Sequence, residues 1–418
     1  MKKILLFVVL AAISFVRCSS SDANKPGANS DMISLYFDDK LLLEAREAIE
    51  DKDPAIMTAY KSFKNHTDTA YLNMEPISIT FDKIHTAPSL DPRDYISLSP
   101  YWWPNPDTAD GSPYLRNDGV TNPEVYEYYE RERSGLIGEA TQALALMYFF
   151  TGEEQYAAKA AELLRTWFTD RTTGMNPNMT YAQYVPGMER IRGTGIIDSR
   201  RWIAGFNAAM IIADSESWTS ADKQDLQDWA NSFRYWMEHS VNGLTEIKTT
   251  NNHGLWYETI RLMSILYSGD VDHFKDVITN SQLPRIGVQV EEDGTLPSEL
   301  ARTLGLHYTT FALEALAIAD IMAEKVGMDV WSYKADNGRS LSMAIDYALP
   351  YMKDQTKWPH QQIKPYSTDR ASILLYQAGT SLGNQAYLDA SSEIGYKRVV
   401  DNEHVASIND LLYYKLKK

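Results

Sequence analysis

Two short stretches of this chain carry side chains that could act together on an acidic molecule. The first, Thr249–Tyr257 (TTNNHGLWY), sets Asn251, Asn252 and His253 at the mouth of an amphipathic helical pattern. The second, Glu291–Tyr308 (EEDGTLPSELARTLGLHY), brings Glu299, Arg302, His307 and Tyr308 within ten positions, after a turn marked by glycine and proline. Amides and guanidinium groups donate hydrogen bonds to anions, and imidazole and phenol can carry protons. On one continuous helix Arg302 and Tyr308 would point roughly 120° apart, so they meet only if the helix breaks or bends near Gly305.

A third stretch, Tyr181–Arg201, concentrates Arg190, Arg192, Arg200 and Arg201 in an otherwise acidic protein and could form a locally positive wall. A fourth, SPYWWPNP, holds Tyr101, Trp102 and Trp103 between two prolines. Stiff adjacent aromatics suit the apolar faces of sugar rings, although three consecutive rings cannot all face one way. Trp256 is a further ring of this kind; at least one of Trp256 and Tyr257 belongs to the core. Bland readings stand beside these: Asn251 as a helix cap, His253 satisfied by backbone, Tyr308 an ordinary buried tyrosine.

The elements that must position these residues are helical. Apolar residues recur at helical spacing over Leu35–Glu50, Pro54–Lys64, Leu136–Phe150, Glu153–Trp167, Arg200–Asp214, Ala221–His239, Gly254–Tyr267, Val271–Thr279, His307–Val326, Ser340–Met352 and Thr368–Leu382. Between Pro76 and Pro123 the periodicity gives way to proline, glycine and aspartate, which predicts a long ordered loop with short strands. Helical hairpins without a fixed-period repeat predict an all-α fold, an (α/α) toroid, incomplete or closed, rather than a regular solenoid.

The 418 residues include 40 Lys plus Arg against 56 Asp plus Glu, a formal charge of −16, which disfavours nucleic acid and anionic membranes as partners. The single cysteine, Cys18, allows no internal disulfide and no cysteine-based metal site. Residues 1–18 (MKKILLFVVLAAISFVRC) have a basic start and an apolar run, Ile4 to Phe15, too short to span a membrane comfortably. They read as an export signal ending at a candidate lipidated cysteine. The expected organisation is therefore residues 1–18 as signal, 19–30 as disordered linker and 31–418 as one domain, in a periplasmic or outer-membrane-anchored protein. Arg17 departs from the small residue expected before a lipidated cysteine. No metal-spacing, phosphate-binding or dinucleotide motif is present, so no cofactor is expected.

Taken in order, SPYWWPNP, VPGMERIRGTGIID, NNHGLWY and DGTLPSELARTLGLHYTTF resemble the alginate-lyase family of helical-toroid polysaccharide lyases over roughly Pro76 to Met322. The resemblance implies β-elimination on an anionic uronate polysaccharide: the C5 proton leaves, the glycosidic oxygen departs from C4, and negative charge builds on the C6 carboxylate. It implies Asn252, His253 and Arg302 as the groups that neutralise this charge, and Tyr308 as proton carrier. If both protons lie on one face of the sugar, Tyr308 serves as base and then acid; otherwise His253 is the base. Arg302 and a protonated histidine would favour the Tyr308 phenolate. Tyr101, Trp102, Trp103, Arg190, Arg192 and Trp256 are the expected substrate contacts, with Glu299 orienting Arg302 and His307 in support. Polyglucuronate is an alternative substrate. An inverting glycoside hydrolase using Glu291, Glu292, Asp293 or Glu299, and a non-catalytic surface glycan-binding lipoprotein, are alternative functions.

Overall fold

In the computed structural model, residues 32–188, 192–395, 399–400, 403–404 and 406–416 are described. The export-signal segment lies outside them, as does Arg190. The chain is built of helices: α1 (Asp39–Glu50), α2 (Pro54–Thr67), α3 (Tyr129–Thr151), α4 (Glu154–Leu164), α5 (Ile203–Ile211), α6 (Ser220–His239), α7 (Val241–Glu246), α8 (Asn252–Tyr267), α9 (Val271–Val277), α10 (Pro284–Gln289), α11 (Pro297–Leu300), α12 (Gly305–Glu324), α13 (Leu341–Lys353), α14 (Asp369–Leu382), α15 (Gln385–Ile394) and α16 (Ile408–Leu412). Local chemistry starts several of them. Asp53 caps α2 ahead of Pro54, and Thr219 with Asp222 forms a capping box on α6.

The arrangement is the expected helical toroid. Helices α3, α5, α8, α12 and α14 pack in succession along an inner layer, with α4, α6, α9, α13 and α15 outside them. Inner helices are apolar around most of their circumference: α8 buries every residue from Gly254 to Tyr267 except Arg261. Outer helices bury one stripe, such as Leu226, Trp229, Ala230, Phe233 and Met237 of α6. Helices α1, α2 and α16 pack together, bringing the two ends of the described chain into contact. Among the described residues, no helix is long and apolar enough to cross a membrane.

Two non-helical features shape the site, the first a departure from expectation and the second the short strands expected in the long loop. The stretch expected to be helical from Arg200 instead forms a 3-10 segment, Thr194–Arg201, before α5 begins at Ile203. Its tighter turn follows the tethering of buried Asp198 to Ser97 and Gln183, on β1 (Ile96–Leu98) and β4 (Tyr181–Tyr184), which pair in parallel. In the loop before α3, β2 (Trp102–Trp103) and β3 (Leu115–Arg116) form a short antiparallel ribbon.

The inner layer tolerates little added volume. A Cβ built on Gly138 of α3 would stand 2.1 Å from the Arg201 carbonyl oxygen. Gly138→Ala should therefore cost about 1–3 kcal/mol, in the range of overpacked cores, and lower the thermal midpoint measured by circular dichroism. An unchanged midpoint would show that the α3–α5 crossing can relax.

Candidate active site

The break between α11 and α12 brings the second chemical stretch together. Helix α11 stops at Leu300, Leu304 adopts a non-helical backbone conformation, and α12 restarts at Gly305, whose N–H donates to the Gln361 carbonyl at 2.9 Å. The restart folds Arg302 back over Tyr308, its guanidinium carbon 3.7 Å from the ring centroid. The first stretch is held differently. Asn251 caps α8 by accepting from the His253 N–H at 3.0 Å, and it also lines the cleft. Asn252 donates to Glu299 twice, from its backbone N–H at 2.5 Å and its side-chain amide at 2.7 Å. The carboxylate of Glu299 thereby ties the start of α8 to α11.

Around this junction lies a cleft of about 420 Å³. Of the residues singled out in the sequence, Tyr101, Trp102, Arg192, Arg200, Asn251, Asn252, His253, Arg302, His307 and Tyr308 line it. Trp103 does not: strand alternation turns it away from Trp102, and its indole N–H donates to the Val120 carbonyl at 3.0 Å. Trp256 does not either; it is a core ring that packs on Phe311 and donates to the Phe311 carbonyl at 3.1 Å. Glu299 grips Asn252 rather than Arg302, whose partner is Asp118. The fork of Arg302 donates to both Asp118 oxygens, at 2.7 to 3.1 Å.

His253 and Tyr308 each have a close partner. The Nδ1 of His253 lies 2.7 Å from Oε1 of Glu246, a buried carboxylate. An ionised Glu246 favours the tautomer with hydrogen on Nδ1, leaving Nε2 as the nitrogen that can meet a ligand. The Tyr308 hydroxyl donates to the Tyr101 hydroxyl at 2.9 Å. Burial first, then Tyr101, pushes the Tyr308 phenol well above its ordinary range. Arg302 opposes this without overcoming it, so in the ligand-free cleft Tyr308 is a phenol and not the phenolate expected from its neighbours. His307 is driven down to about 4, by burial and then by Arg370, Arg200, Arg302 and Lys364, and is neutral near pH 7.

Charge in the cleft opposes that of the whole chain. Arg116, Arg131, Arg192, Arg200, Arg302 and Arg370 line it, against the carboxylates of Asp198 and Glu246. Burial works against ionised Asp198, but Arg131 and the Gln183 amide outweigh it and hold its carboxyl below the usual range. Among the described residues no group of three or more His, Cys, Asp or Glu side chains is placed to hold a metal ion.

Sequence reasoning passed over Glu246, Asp118, Arg131 and Arg370, which lie in unremarkable contexts far from the residues they serve. One weak signal existed for Glu246: it closes a short helix seven positions before His253. Asp118 lay inside the quoted loop stretch, but nothing local ties it to a residue 184 positions away.

Comparison with known proteins fits this geometry. The family description "Alginate lyase" matches residues 78–358. Among solved structures, an alginate lyase from Bacteroides ovatus is similar at 33% identity, with a TM-score of 0.84 over 93% of this chain and 99% of that one. Alginate lyase A1-III from Sphingomonas species A1 shares the fold at 16% identity, with a TM-score of 0.51 over 84% and 93% of the two chains. A search of curated proteins found no match. With two thirds of its length matched by the family description and a relative 33% identical along nearly all of it, this chain belongs to the alginate lyase family of polysaccharide lyases.

Proposed function

We propose that the protein cleaves a uronic-acid polymer by β-elimination, with alginate rich in mannuronate as first substrate and polyglucuronate as second. The observation that carries this reading is the meeting of Asn252, His253, Arg302 and Tyr308, from two stretches distant in sequence, in one arginine-lined cleft. The similar enzyme from Bacteroides ovatus, an alginate lyase, supports the substrate. Export outside the cytoplasm, with Cys18 as a lipid anchor, accords with a polymeric substrate and rests on residues 1–18 alone.

The residues divide the work by chemistry. Arg302 donates to the substrate carboxylate beside its own Asp118 pair, the Asn251 and Asn252 amides supply further donors, and His253 donates from Nε2 in its doubly protonated form, with Nδ1–H on Glu246. These groups are ordered before substrate arrives, so little reorganisation is needed as charge develops on the C6 carboxylate. Tyr308 takes the C5 proton and returns it to the departing C4 oxygen. In mannuronate and glucuronate the C5 hydrogen and the C4 oxygen lie on one face of the ring, so one phenol can reach both. Arg302 over the ring and the Tyr101 hydroxyl at 2.9 Å stabilise the transient phenolate. In guluronate the two groups lie on opposite faces, and His253, backed by Glu246, takes the base role.

A hydrolase reading finds less support. Inverting hydrolysis needs two available carboxylates roughly 6.5–9.5 Å apart. Glu291 and Glu292 are outside the cleft with side chains 54% and 88% exposed, and Glu299 is bound to Asn252. The carboxylates lining the cleft, Asp198 and Glu246, are engaged by Gln183 with Ser97 and by His253.

Separate incubations with polymannuronate, polyguluronate and polyglucuronate, followed by ultraviolet absorbance of the unsaturated end, test the reaction and its substrate. Absorbing ends from polymannuronate are expected; saturated products from all three would overturn the lyase reading. Tyr308→Phe should lower kcat by roughly 10²–10⁴-fold while oligouronate binding, measured by calorimetry, changes little. Unchanged turnover would remove Tyr308 from the mechanism.

The pH profile separates the two bases. Because burial raises the Tyr308 phenol, its basic form is scarce at neutral pH and gains with every increase in pH. With Tyr308 as base, kcat/KM on polymannuronate should keep climbing beyond about pH 8. A plateau near the ordinary histidine range of about 6.5 would assign the base to His253 instead. Glu246→Gln should lower kcat on the order of tenfold or more by loosening the His253 tautomer, with the thermal midpoint retained; full activity would show that His253 needs no such support.

A further inference from the structure

We infer that Arg200 and Arg370 form a second carboxylate-binding site at the inner end of the cleft, receiving the uronate next to the one that is cleaved. The inference rests on the uronate-lyase reading and adds a recognition site to it. Both guanidinium groups lie against Phe311, with the Arg200 carbon 5.2 Å and the Arg370 carbon 5.0 Å from the ring centroid. Both also line the cleft that holds His253 and Tyr308. They come from unrelated parts of the chain, the 3-10 segment before α5 and the first turn of α14, and are brought to one aromatic ring by the fold.

The charge count at this ring is unbalanced. Arg370 is paired with Glu314 at 3.0 Å. Arg200 donates to the Ile197 carbonyl at 3.3 Å, and among the described residues no carboxylate lies within ion-pair distance of it. Two half-buried guanidinium groups thus face one carboxylate, which leaves donors on Arg200 for a further anion. Burial, then repulsion from Arg201 and Arg370, holds the Arg200 guanidinium down to about 10, and a carboxylate beside it would offset that repulsion. A planar carboxylate matches the paired donors of such a fork, and the uronate polymer carries one carboxylate per sugar.

Two smaller cavities adjoin the pair. Arg200 and Arg370 also border a smaller cavity of about 220 Å³, lined with them by Arg201, Tyr36, Glu314 and Ile318. A neighbouring cavity of about 220 Å³, which shares Tyr36, Glu314 and Ile318, adds Asp38 and Glu324. The lining turns acidic only in that second cavity, where a further uronate would meet repulsion.

The test uses the full-length protein, a tetrauronate from whichever polymer it cleaves, and a set of the same tetrasaccharide with one carboxylate reduced to an alcohol in each member. Wild type should lose roughly tenfold or more in kcat/KM when the carboxylate of one sugar beside the cleaved linkage is reduced, the scale of a charge-assisted hydrogen bond. Arg200→Gln should show the same loss on the intact tetrauronate and no further loss on that one reduced member, while still discriminating at the other positions. Arg200 has no carboxylate to leave unpaired, so this variant should fold; Arg370→Lys, which keeps a charge beside Glu314, provides the second variant and should lose part of the same discrimination. If Arg200→Gln falls by an equal factor on every substrate, or is unaffected on all, the site is overturned. Calorimetric binding of the uncleaved tetrauronate separates this from failure of the lyase reading. Absence of unsaturated product with position-specific loss of binding in Arg200→Gln would sink the reaction and keep the site, whereas normal elimination without that loss would sink the site alone.

Discussion

The junction between Asn252 and Glu299 holds the chemistry of this protein together. Two donors of Asn252 meet the two oxygens of one carboxylate, 47 positions away in sequence, at 2.5 and 2.7 Å. Glu299 is almost fully buried, and burial pushes its carboxyl above the usual range; the Asn252 donors and the nearby Arg302 work in the opposite direction. A buried carboxylate is tolerated only with such partners, which makes the junction specific as well as cohesive. From it His253 projects on one side and the Arg302–Tyr308 turn on the other. Their relative position is set by bonds to the protein that do not depend on substrate.

Around that junction the fold sorts charge. A chain with sixteen more acidic than basic residues gathers six arginines at a single cleft. An acidic exterior with a basic recess focuses anionic ligands toward the recess and discourages adsorption elsewhere. Several of these arginines are partly answered by carboxylates: Asp118 for Arg302, Asp198 near Arg131, Glu314 for Arg370. Such pairs fix the direction of each guanidinium while leaving donors over, since Arg carries five N–H groups and a carboxylate engages only two or three.

Much of the scaffold was legible in the sequence because helix formation is local. Apolar spacing identified the inner helices and every outer one but α15, and caps such as Asp53 before Pro54 marked their starts. The short helices α7, α10 and α11 escaped, since fewer than two turns leave no periodicity to read. Arg200 was expected in a helix and stands in a 3-10 turn, because the tether of Asp198 to two strands is a long-range fact. Resemblance carried the reading of the site further than periodicity could. It supplied the roles of Asn252, His253, Arg302 and Tyr308, while the requirement for a break near Gly305 came from helical geometry alone.

By itself, the sequence determined the helical toroid, the stretches that bear the chemistry and the acidic balance of the whole, since each is a property of neighbouring residues or of composition. Tertiary structure decided which side chains share the cleft and in what state. It turned Trp102 inward and Trp103 outward, sent Trp256 to the core, gave Arg302 to Asp118 and Asn252 to Glu299, and kept Tyr308 a phenol by burying it against Tyr101. Partners far apart in sequence, and the desolvation that sets a proton's affinity, arise only when the chain closes on itself.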